Sequence, residues 1–211
     1  GHPWVYDAEI TETFGSPENG CLVDVVSQKG SYLGTGFLSL NSKIRVRVIS
    51  SNANENFSNA FWERRIRYAI DYRKTVMGDD FGCCRLVFGE ADGLPGLTVD
   101  RFSDIIVTQV LSYGMDKIKD VIYKAVVKVL TEMGETINGV YERNDVAIRA
   151  LEGLEEYPET PPVEPGDVFK KYVATVNYFN NRVELKPSLD MDWLEFDGFT
   201  VDYVGTSDYK P

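Results

Sequence analysis

The strongest constraint on the fold is a set of apolar residues between positions 115 and 133 that recur at helical spacing. They are Met115, Ile118, Val121, Ile122, Ala125, Val126, Val129, Leu130 and Met133. Apolar residues at i, i+3 and i+4 line one side of a helix, so this pattern predicts a long amphipathic helix that ends at Gly134. Apolar runs of strand length flank it, at residues 104–111 and 137–142. A helix between strands must pack against their sheet, which predicts an α+β domain.

A second pattern, with a period of two, occupies residues 21–49 and is interrupted by glycines. It predicts three strands, at residues 21–27, 32–38 and 43–49, that form a small β unit. In the last strand, alternation places isoleucine and valine on one face and three cations on the other. The cations are Lys43, Arg45 and Arg47. Two interpretations stay open: this is the solvated side of a half-buried strand, or a strip that contacts phosphates.

The polar, asparagine-rich segment at residues 51–59 predicts a boundary, followed by a helix that continues to about Met77. Phe61 and Trp62 lie on or beside the apolar stripe of this helix, which continues to Val76. We therefore interpret both aromatic residues as core rather than as platforms for base stacking. Cations extend around the other sides of the helix, and they are Arg64, Arg65, Arg67 and Lys74. Among these, Arg64 and Arg67 are the second candidate site for phosphate contacts.

Charge restricts where a polyanion could bind. The chain has 22 Lys and Arg against 33 Asp and Glu, a net charge of -11, which is the opposite of a simple nucleic-acid binder. The first 84 residues hold nine basic and ten acidic side chains, a net charge of -1, whereas residues 85–211 hold 13 and 23, a net charge of -10. We therefore expect any polyanion site within the first 84 residues.

Histidine and cysteine usage excludes several kinds of chemistry. The single histidine, His2, removes most zinc sites and most histidine-based acid–base schemes, so no metal site is expected. Three cysteines, of which Cys83 and Cys84 are neighbours, indicate reduced thiols rather than a disulfide framework. No segment approaches the roughly 18 consecutive apolar residues of a membrane span. These features predict a soluble, cytoplasmic protein with no membrane partner.

Four carboxylates lie within fifteen residues around a glycine-rich turn at residues 89–96: Glu90, Asp92, Asp100 and Asp104. Their spacing matches neither an EF-hand nor a known pair of catalytic carboxylates. The pairs Asp92-Gly93 and Pro95-Gly96 are typical of turns, which favours a structural role. We therefore predict no catalytic residue in this chain. The alternative is a hydrolase built on Glu90 and Asp92.

The last quarter of the chain is predicted to be extended. Residues 158–165 contain four prolines, which is typical of a linker. Strands at residues 172–179 and 182–186 flank Asn180-Asn181, a plausible hairpin turn, and Asp197-Gly198 is a second turn signal.

Several segments occur in the same order as in a known family. They are residues 1–6 (GHPWVY), 32–37 (YLGTGF), 42–48 (SKIRVRV), 85–102 (RLVFGEADGLPGLTVDRF) and 141–146 (YERNDV). The sequence resembles the class I S-adenosylmethionine-dependent methyltransferases that form 5-methylcytosine in large-subunit ribosomal RNA and carry an N-terminal PUA domain. The block at residues 85–102 is the most specific part, and the likeness covers residues 1 to about 157.

The resemblance implies a particular domain organisation. Residues 1–52 would form a PUA-like β-barrel without the family's first strand, and residues 53–157 a central α+β domain in which strands flank a helix. Residues 158–211 would be a linker and β-hairpin tail that leads to a missing catalytic domain. In the family that domain holds S-adenosylmethionine and the catalytic cysteine, so no cofactor is expected in this chain.

The implied function is recognition and positioning of RNA rather than catalysis. The residues expected to contact RNA are Lys43, Arg45, Arg47, Arg64 and Arg67. The resemblance further implies that six residues face the catalytic domain or the substrate, although a fold-stabilising role is equally open. They are Asp92, Asp100, Arg101, Glu142, Arg143 and Asp145. The expected partners are ribosomal RNA, the missing catalytic domain and a second copy in a homodimer. The alternative is a protein–protein assembly module that does not bind RNA, which the acidic residues 85–211 favour.

Overall fold

The computed structural model describes residues 2–144 and 146–155, together with the backbone of two strands at 172–177 and 182–187. In the first part of the chain, four antiparallel strands form a sheet in the order β1-β4-β3-β2. They are Trp4–Tyr6 (β1), Leu22–Val26 (β2), Tyr32–Leu38 (β3) and Ile44–Ser50 (β4). The three strands predicted from alternation are thus confirmed to within one residue at each end.

Gly36 allows β3 and β4 to approach closely. A Cβ atom at Gly36 would lie less than 3.0 Å from the carbonyl oxygen of Arg47 on β4. The ladder between these strands shifts register between Thr35 and Gly36. A residue without a side chain is needed at such a position, and this accounts for a glycine within the strand.

The second part of the chain is a four-stranded sheet covered by two helices. Its elements are Asn59–Met77 (α1), Cys83–Phe88 (β5), Leu97–Phe102 (β6), Ile105–Val110 (β7), Tyr113–Glu132 (α2), Gly139–Glu142 (β8) and Ile148–Leu151 (α3). Strands β5, β6 and β7 form an antiparallel meander, and β8 pairs with β7 in parallel. Parallel neighbours need a long crossover, which α2 supplies. The predicted α+β class is confirmed.

The helices pack with the central sheet around one hydrophobic core. Ile66 and Ile70 of α1 and Ile122 and Val126 of α2 are completely buried, together with Leu86, Val99 and Ile106 from the strands. The apolar stripe predicted in α2 is confirmed, since each of its members is buried or packed against this core. The prediction that the apolar stripe of α1 continues to Val76 is wrong, because the Val76 side chain is exposed. Val76 follows Tyr68 and Tyr72 at intervals of four residues and therefore lies on their outward face of α1.

The N-terminal sheet contributes Phe37 and Ile49 to this core. Phe37 of β3 stacks on the ring of Trp62 in α1, with centroids 5.8 Å apart and planes inclined by 6°. Gly114, in the first turn of α2, lies directly against the Phe37 ring, where a Cβ atom would clash. Phe61 and Trp62 are buried, as predicted. The segment after β4 that was predicted to be a boundary therefore connects two tightly packed parts.

Strands Tyr172–Asn177 (β9) and Arg182–Pro187 (β10) pair in antiparallel register, which confirms the predicted strand pair. The proline-rich segment and the turn signals at Asn180-Asn181 and Asp197-Gly198 lie outside the described residues. No helix among the described residues is long and apolar enough to span a membrane.

Candidate nucleic-acid interface

The structure places Arg47 between the two parts of the chain. Its guanidinium donates from Nη2 to Oε1 of Glu152 at 2.9 Å and from Nη1 to Oε1 of Glu90 at 3.3 Å. The same guanidinium lies 5.6 Å from the centroid of the Trp4 ring. Only 12% of the Arg47 side chain is exposed. This cation is therefore held by carboxylates of the central domain.

The two carboxylates have further partners from the N-terminal sheet. Glu152, whose side chain is 4% exposed, accepts a hydrogen bond from the Ser39 hydroxyl at 2.9 Å. Glu90 accepts one from the indole N–H of Trp4, also at 2.9 Å. We refer to Trp4, Ser39, Arg47, Glu90 and Glu152 as the Arg47 joint. Since buried charges are costly without partners, the joint fastens the N-terminal sheet to the central domain in one orientation.

The other two cations of the predicted strip have different environments. Arg45 donates to the Asp7 carboxylate at 2.7 and 2.9 Å, and to the carbonyl oxygens of Ser39 and Leu40. Lys43 is exposed, and its ammonium has no ion-pair partner among the residues that the structure describes. Of the three cations, Lys43 is the one whose charge is available to an anionic ligand.

Arg64 and Arg67 are three residues apart on α1 but have different partners. Arg64 is 43% exposed, pairs with Glu55 at 2.9 Å and lies over the Phe61 ring. Arg67 pairs with Glu63 on α1 and with Glu132 on α2, so it bridges the two helices. A hydrogen bond from Lys128 lowers the pKa of Glu63 within the same network. Arg64 is therefore a half-exposed partner of Glu55, and Arg67 is committed to the contact between the helices.

The six residues expected to face a catalytic domain or substrate do not form one cluster. Asp92 accepts two hydrogen bonds from Arg73, at 2.8 and 3.2 Å, and one from the backbone N–H of Phe88. Arg101, at the end of β6, pairs with Glu135 at 2.6 Å. These contacts stabilise the turn after β5 and the end of β6.

The remaining members lie on the strands and near the end of β8. Asp100 pairs with Arg85 at 2.9 Å, and burial raises the pKa of its carboxyl group. Glu142 accepts from Lys119 at 2.9 Å and also from the Asn144 amide. The backbone N–H of Arg143 donates to Thr108, and Asp145 lies outside the described residues.

The geometry does not favour the carboxylate hydrolase. Glu90 pairs with Arg47 in the Arg47 joint, and Asp92 pairs with Arg73 at the turn after β5. Among the described residues, no group of three or more His, Cys, Asp and Glu side chains could hold a metal ion. Burial raises the pKa of Cys84 to about 11, which opposes formation of a thiolate there.

Sequence analysis missed an exposed row of side chains on α1. Arg64, Tyr68, Tyr72 and Val76 follow one another at intervals of four residues, and we call this row the α1 ridge. Beside it lies a shallow pocket of about 430 Å³ between α1 and the turn at residues 90–93, with Arg65 and Tyr68 in its wall. The spacing was visible in the sequence, but its outward direction follows only from the packing of the opposite face.

The chain matches known proteins at two levels. A family model described as a PUA-like domain matches residues 1–51. The Ribosomal RNA large subunit methyltransferase I of Pseudoalteromonas atlantica is 39% identical over 178 residues, which cover 83% of this chain and 43% of that protein. The protein of the same name from Klebsiella pneumoniae is 36% identical over 155 residues, with coverages of 73% and 38%. The chain thus spans about two fifths of the length of these relatives.

Two solved structures share the fold. The crystal structure of SMU.776 complexed with SAH superposes with a TM-score of 0.58 at 20% identity, over 68% of this chain and 36% of that one. A candidate SAM-dependent methyltransferase from Streptococcus mutans gives a TM-score of 0.56 at 18% identity, over 68% and 37% of the two chains. At this level of identity the likeness concerns the fold alone.

Proposed function

Because the chain is homologous over most of its length to the Ribosomal RNA large subunit methyltransferase I proteins, we propose that it recognises and positions RNA for such an enzyme. The PUA-like match in residues 1–51 supports an RNA-binding role for the N-terminal sheet. Ribosomal RNA is the substrate that the names of the relatives suggest. A ribosomal RNA substrate and three free cysteines support a cytoplasmic location.

The observation that carries the proposal is the Arg47 joint. A positioning unit has to hold its two RNA-facing parts at a constant distance, because small displacements of a substrate are costly for catalysis. The joint and the Phe37–Trp62 stack fasten the PUA-like sheet to the central domain. An RNA strand bound to one part is then held at a defined place relative to the other.

The glycine-rich turn at residues 89–96 does not fit S-adenosylmethionine. In doubly wound folds, a nucleotide-type cofactor rests on a glycine-rich turn between a strand and the first turn of a helix. Here the glycine-rich turn at residues 89–96 connects β5 to the antiparallel strand β6. The proposal therefore assigns cofactor binding and methyl transfer to a part of the enzyme other than these residues.

Salt-dependent RNA binding by the full 211-residue chain tests the proposal. Anisotropy of a labelled single-stranded fragment of large-subunit ribosomal RNA would be followed from about 50 to about 200 mM salt, a range over which phosphate contacts weaken steeply. Saturable binding that weakens with salt is expected. If RNA does not bind at low salt while the chain self-associates, the protein–protein assembly module is the better interpretation.

Lys43→Ala examines the N-terminal sheet within the same assay. Loss of one phosphate contact should weaken binding similarly across sequences and lower the log–log salt slope by about 1. Lys124→Ala is the matched control, because it removes an exposed cation on α2 that has no ion-pair partner among the described residues. Equal effects of the two variants would place the phosphate contacts outside the N-terminal sheet.

A further inference from the structure

The central sheet has a second face, on the side away from α1 and α2. Val99 of β6 and Ile106 of β7 belong to the core beneath the helices. Because successive side chains of a strand point to opposite faces, Asp100 and Val107 lie on the other side of the sheet. We call this side the outer face. The register of the ladders places four of its residues side by side across β5 to β8: Arg85, Asp100, Val107 and Tyr141.

The middle of the outer face is buried, although the helices lie on the opposite side. Ile105, Val107 and Tyr141 are 8%, 5% and 4% exposed, and none of them belongs to the core beneath the helices. Tyr141 lies on β8, an edge strand, where one neighbouring strand is not enough to bury a tyrosine ring. These exposed fractions are those of a single chain. The cover of the outer face is therefore to be sought within the chain itself.

The strand pair β9–β10 has one apolar face. In its register Val176 is opposite Val183, whereas Thr175 is opposite Glu184. The opposite face is polar apart from Val173. A two-stranded pair is at best marginally stable in water, so an apolar face of this kind needs another surface to pack against. Alternation places six residues on the apolar face: Tyr172, Ala174, Val176, Val183, Leu185 and Pro187.

We propose that the apolar face of the β9–β10 pair packs against the outer face of the central sheet within the same chain. Two sheets that pack face to face lie about 10 Å apart, and the apolar side chains between them form a common core. The chain between Glu155 and Tyr172 can span up to about 55 Å when extended. A four-stranded sheet is about 20 Å wide, so this connection can reach any part of the outer face.

The charges of the outer face are compatible with an apolar cover. Asp100 is 7% exposed and pairs with Arg85 at 2.9 Å, so its charge is compensated within the face. The Arg85 guanidinium lies 5.1 Å from the centroid of the Phe88 ring. Burial raises the pKa of the Asp100 carboxyl group, as a cover that excludes water would.

This inference goes beyond the proposed function, because it does not involve RNA. It assigns the outer face to the chain's own β9–β10 pair. The part of the chain after Glu155 would then be fixed against the same unit that the Arg47 joint holds together.

Val176→Asp and Val173→Asp form a matched pair of variants in the full chain. Both put a carboxylate into β9 with the same loss of β propensity, but on opposite faces of the strand pair. Hydrogen exchange followed by mass spectrometry reports on the packing of each segment. In Val176→Asp, residues 172–187 should exchange at least tenfold faster than in the parent chain, because a buried carboxylate without a partner opposes packing. Val173→Asp should exchange like the parent chain.

Two further measurements examine the outer face itself. Val176→Asp, but not Val173→Asp, should increase binding of the hydrophobic dye ANS, because the apolar outer face becomes accessible. Val107→Ala, on the outer face, should accelerate exchange in residues 172–187. Leu40→Ala is its control, because it shortens an exposed apolar side chain of the N-terminal part and should have no effect there. Exchange in α1 and α2 should stay unchanged in all four variants, which checks that the helical core remains folded.

Three results would contradict the inference. If Val176→Asp exchanges like the parent chain, the apolar face of the pair is not packed. If both aspartate variants accelerate exchange equally, the two faces of the pair are equivalent and the inference is wrong. If protection of residues 172–187 in the parent chain increases with protein concentration, a second copy covers them instead. Each of these results leaves the proposed function intact, and a chain that binds no RNA would leave this inference intact.

Discussion

Replacing Arg47 by alanine would test whether the joint holds the two parts of the chain together. The change removes the cation that lies between Glu152 and Glu90, whose side chains are 4% and 30% exposed. Truncation of one partner of a buried ion pair costs about 3–5 kcal/mol, because the other charge stays buried without compensation. Glu152 keeps the Ser39 hydroxyl and Glu90 keeps the Trp4 indole, so we expect a loss near the lower limit, about 3 kcal/mol.

Arg45→Ala is the matched control, since it removes an arginine from the same strand. Arg45 pairs with Asp7, whose side chain is 63% exposed, and exposed pairs contribute about 0–1 kcal/mol. Its hydrogen bonds to the carbonyl oxygens of Ser39 and Leu40 add about 1 kcal/mol, so a difference of about 1–2 kcal/mol between the two variants is expected. Urea unfolding followed by tryptophan fluorescence measures it, and Trp4 reports directly on the joint.

A double-mutant cycle would assign the effect to the pair. Glu152→Gln in the Arg47→Ala background removes the buried charge that the first change leaves without its cation. The double variant should lose less stability than the sum of the two single variants, with a coupling energy above about 0.5 kcal/mol. If Arg47→Ala is no more destabilising than Arg45→Ala, the joint does not fasten the sheet and the argument for positioning fails.

Three further changes test the packing and the electrostatics. Val126→Asp should unfold the central domain in circular-dichroism melts, because an unpaired carboxylate in a core position costs several kcal/mol of a total of roughly 5–15 kcal/mol. Gly36→Ala should cost about 1–3 kcal/mol by forcing β3 and β4 apart, whereas Gly82→Ala, which has open space around it, should cost less. Burial raises the pKa of Asp100, so the wild-type side chain contributes stability below the ordinary Asp pKa and loses it as the pH rises through the raised value. Asp100→Asn removes this loss, so the melting temperature of the variant minus that of the wild type should increase from pH 4 to pH 7. A difference in melting temperature that stays constant over this range would contradict the raised pKa of Asp100.

The secondary structure was largely predictable because its signals are local. Two patterns predict which side of an element is apolar: the alternation at residues 21–49 and the helical period at residues 115–133. The burial of the side chains follows this prediction. Glycines at the end of α1 and after α2 mark where the helices stop. Val76 is the exception, because a short apolar side chain near the end of a helix fits either face and the period alone does not decide.

The candidate site could be predicted only in part. Alternation correctly separated Lys43, Arg45 and Arg47 from the apolar face of β4, but a period of two cannot state what lies opposite a strand. The partners of Arg47 are 43 and 105 residues away in the chain, at Glu90 and Glu152. The same limit applies to the α1 ridge, whose outward direction follows only from the burial of the opposite face of the helix.

The sequence by itself determined the α+β class, the extents of most strands and helices, and the residues available for the core. All of these depend on interactions within a few residues, or on an apolar periodicity that predicts the element whichever apolar surface packs against it. Tertiary structure alone decided which cations remain available to an anionic ligand. An arginine is free or committed according to the carboxylates that folding brings next to it, and those come from distant parts of the chain. Arg47 thus became part of the joint, while Lys43 stayed exposed without an ion-pair partner among the described residues.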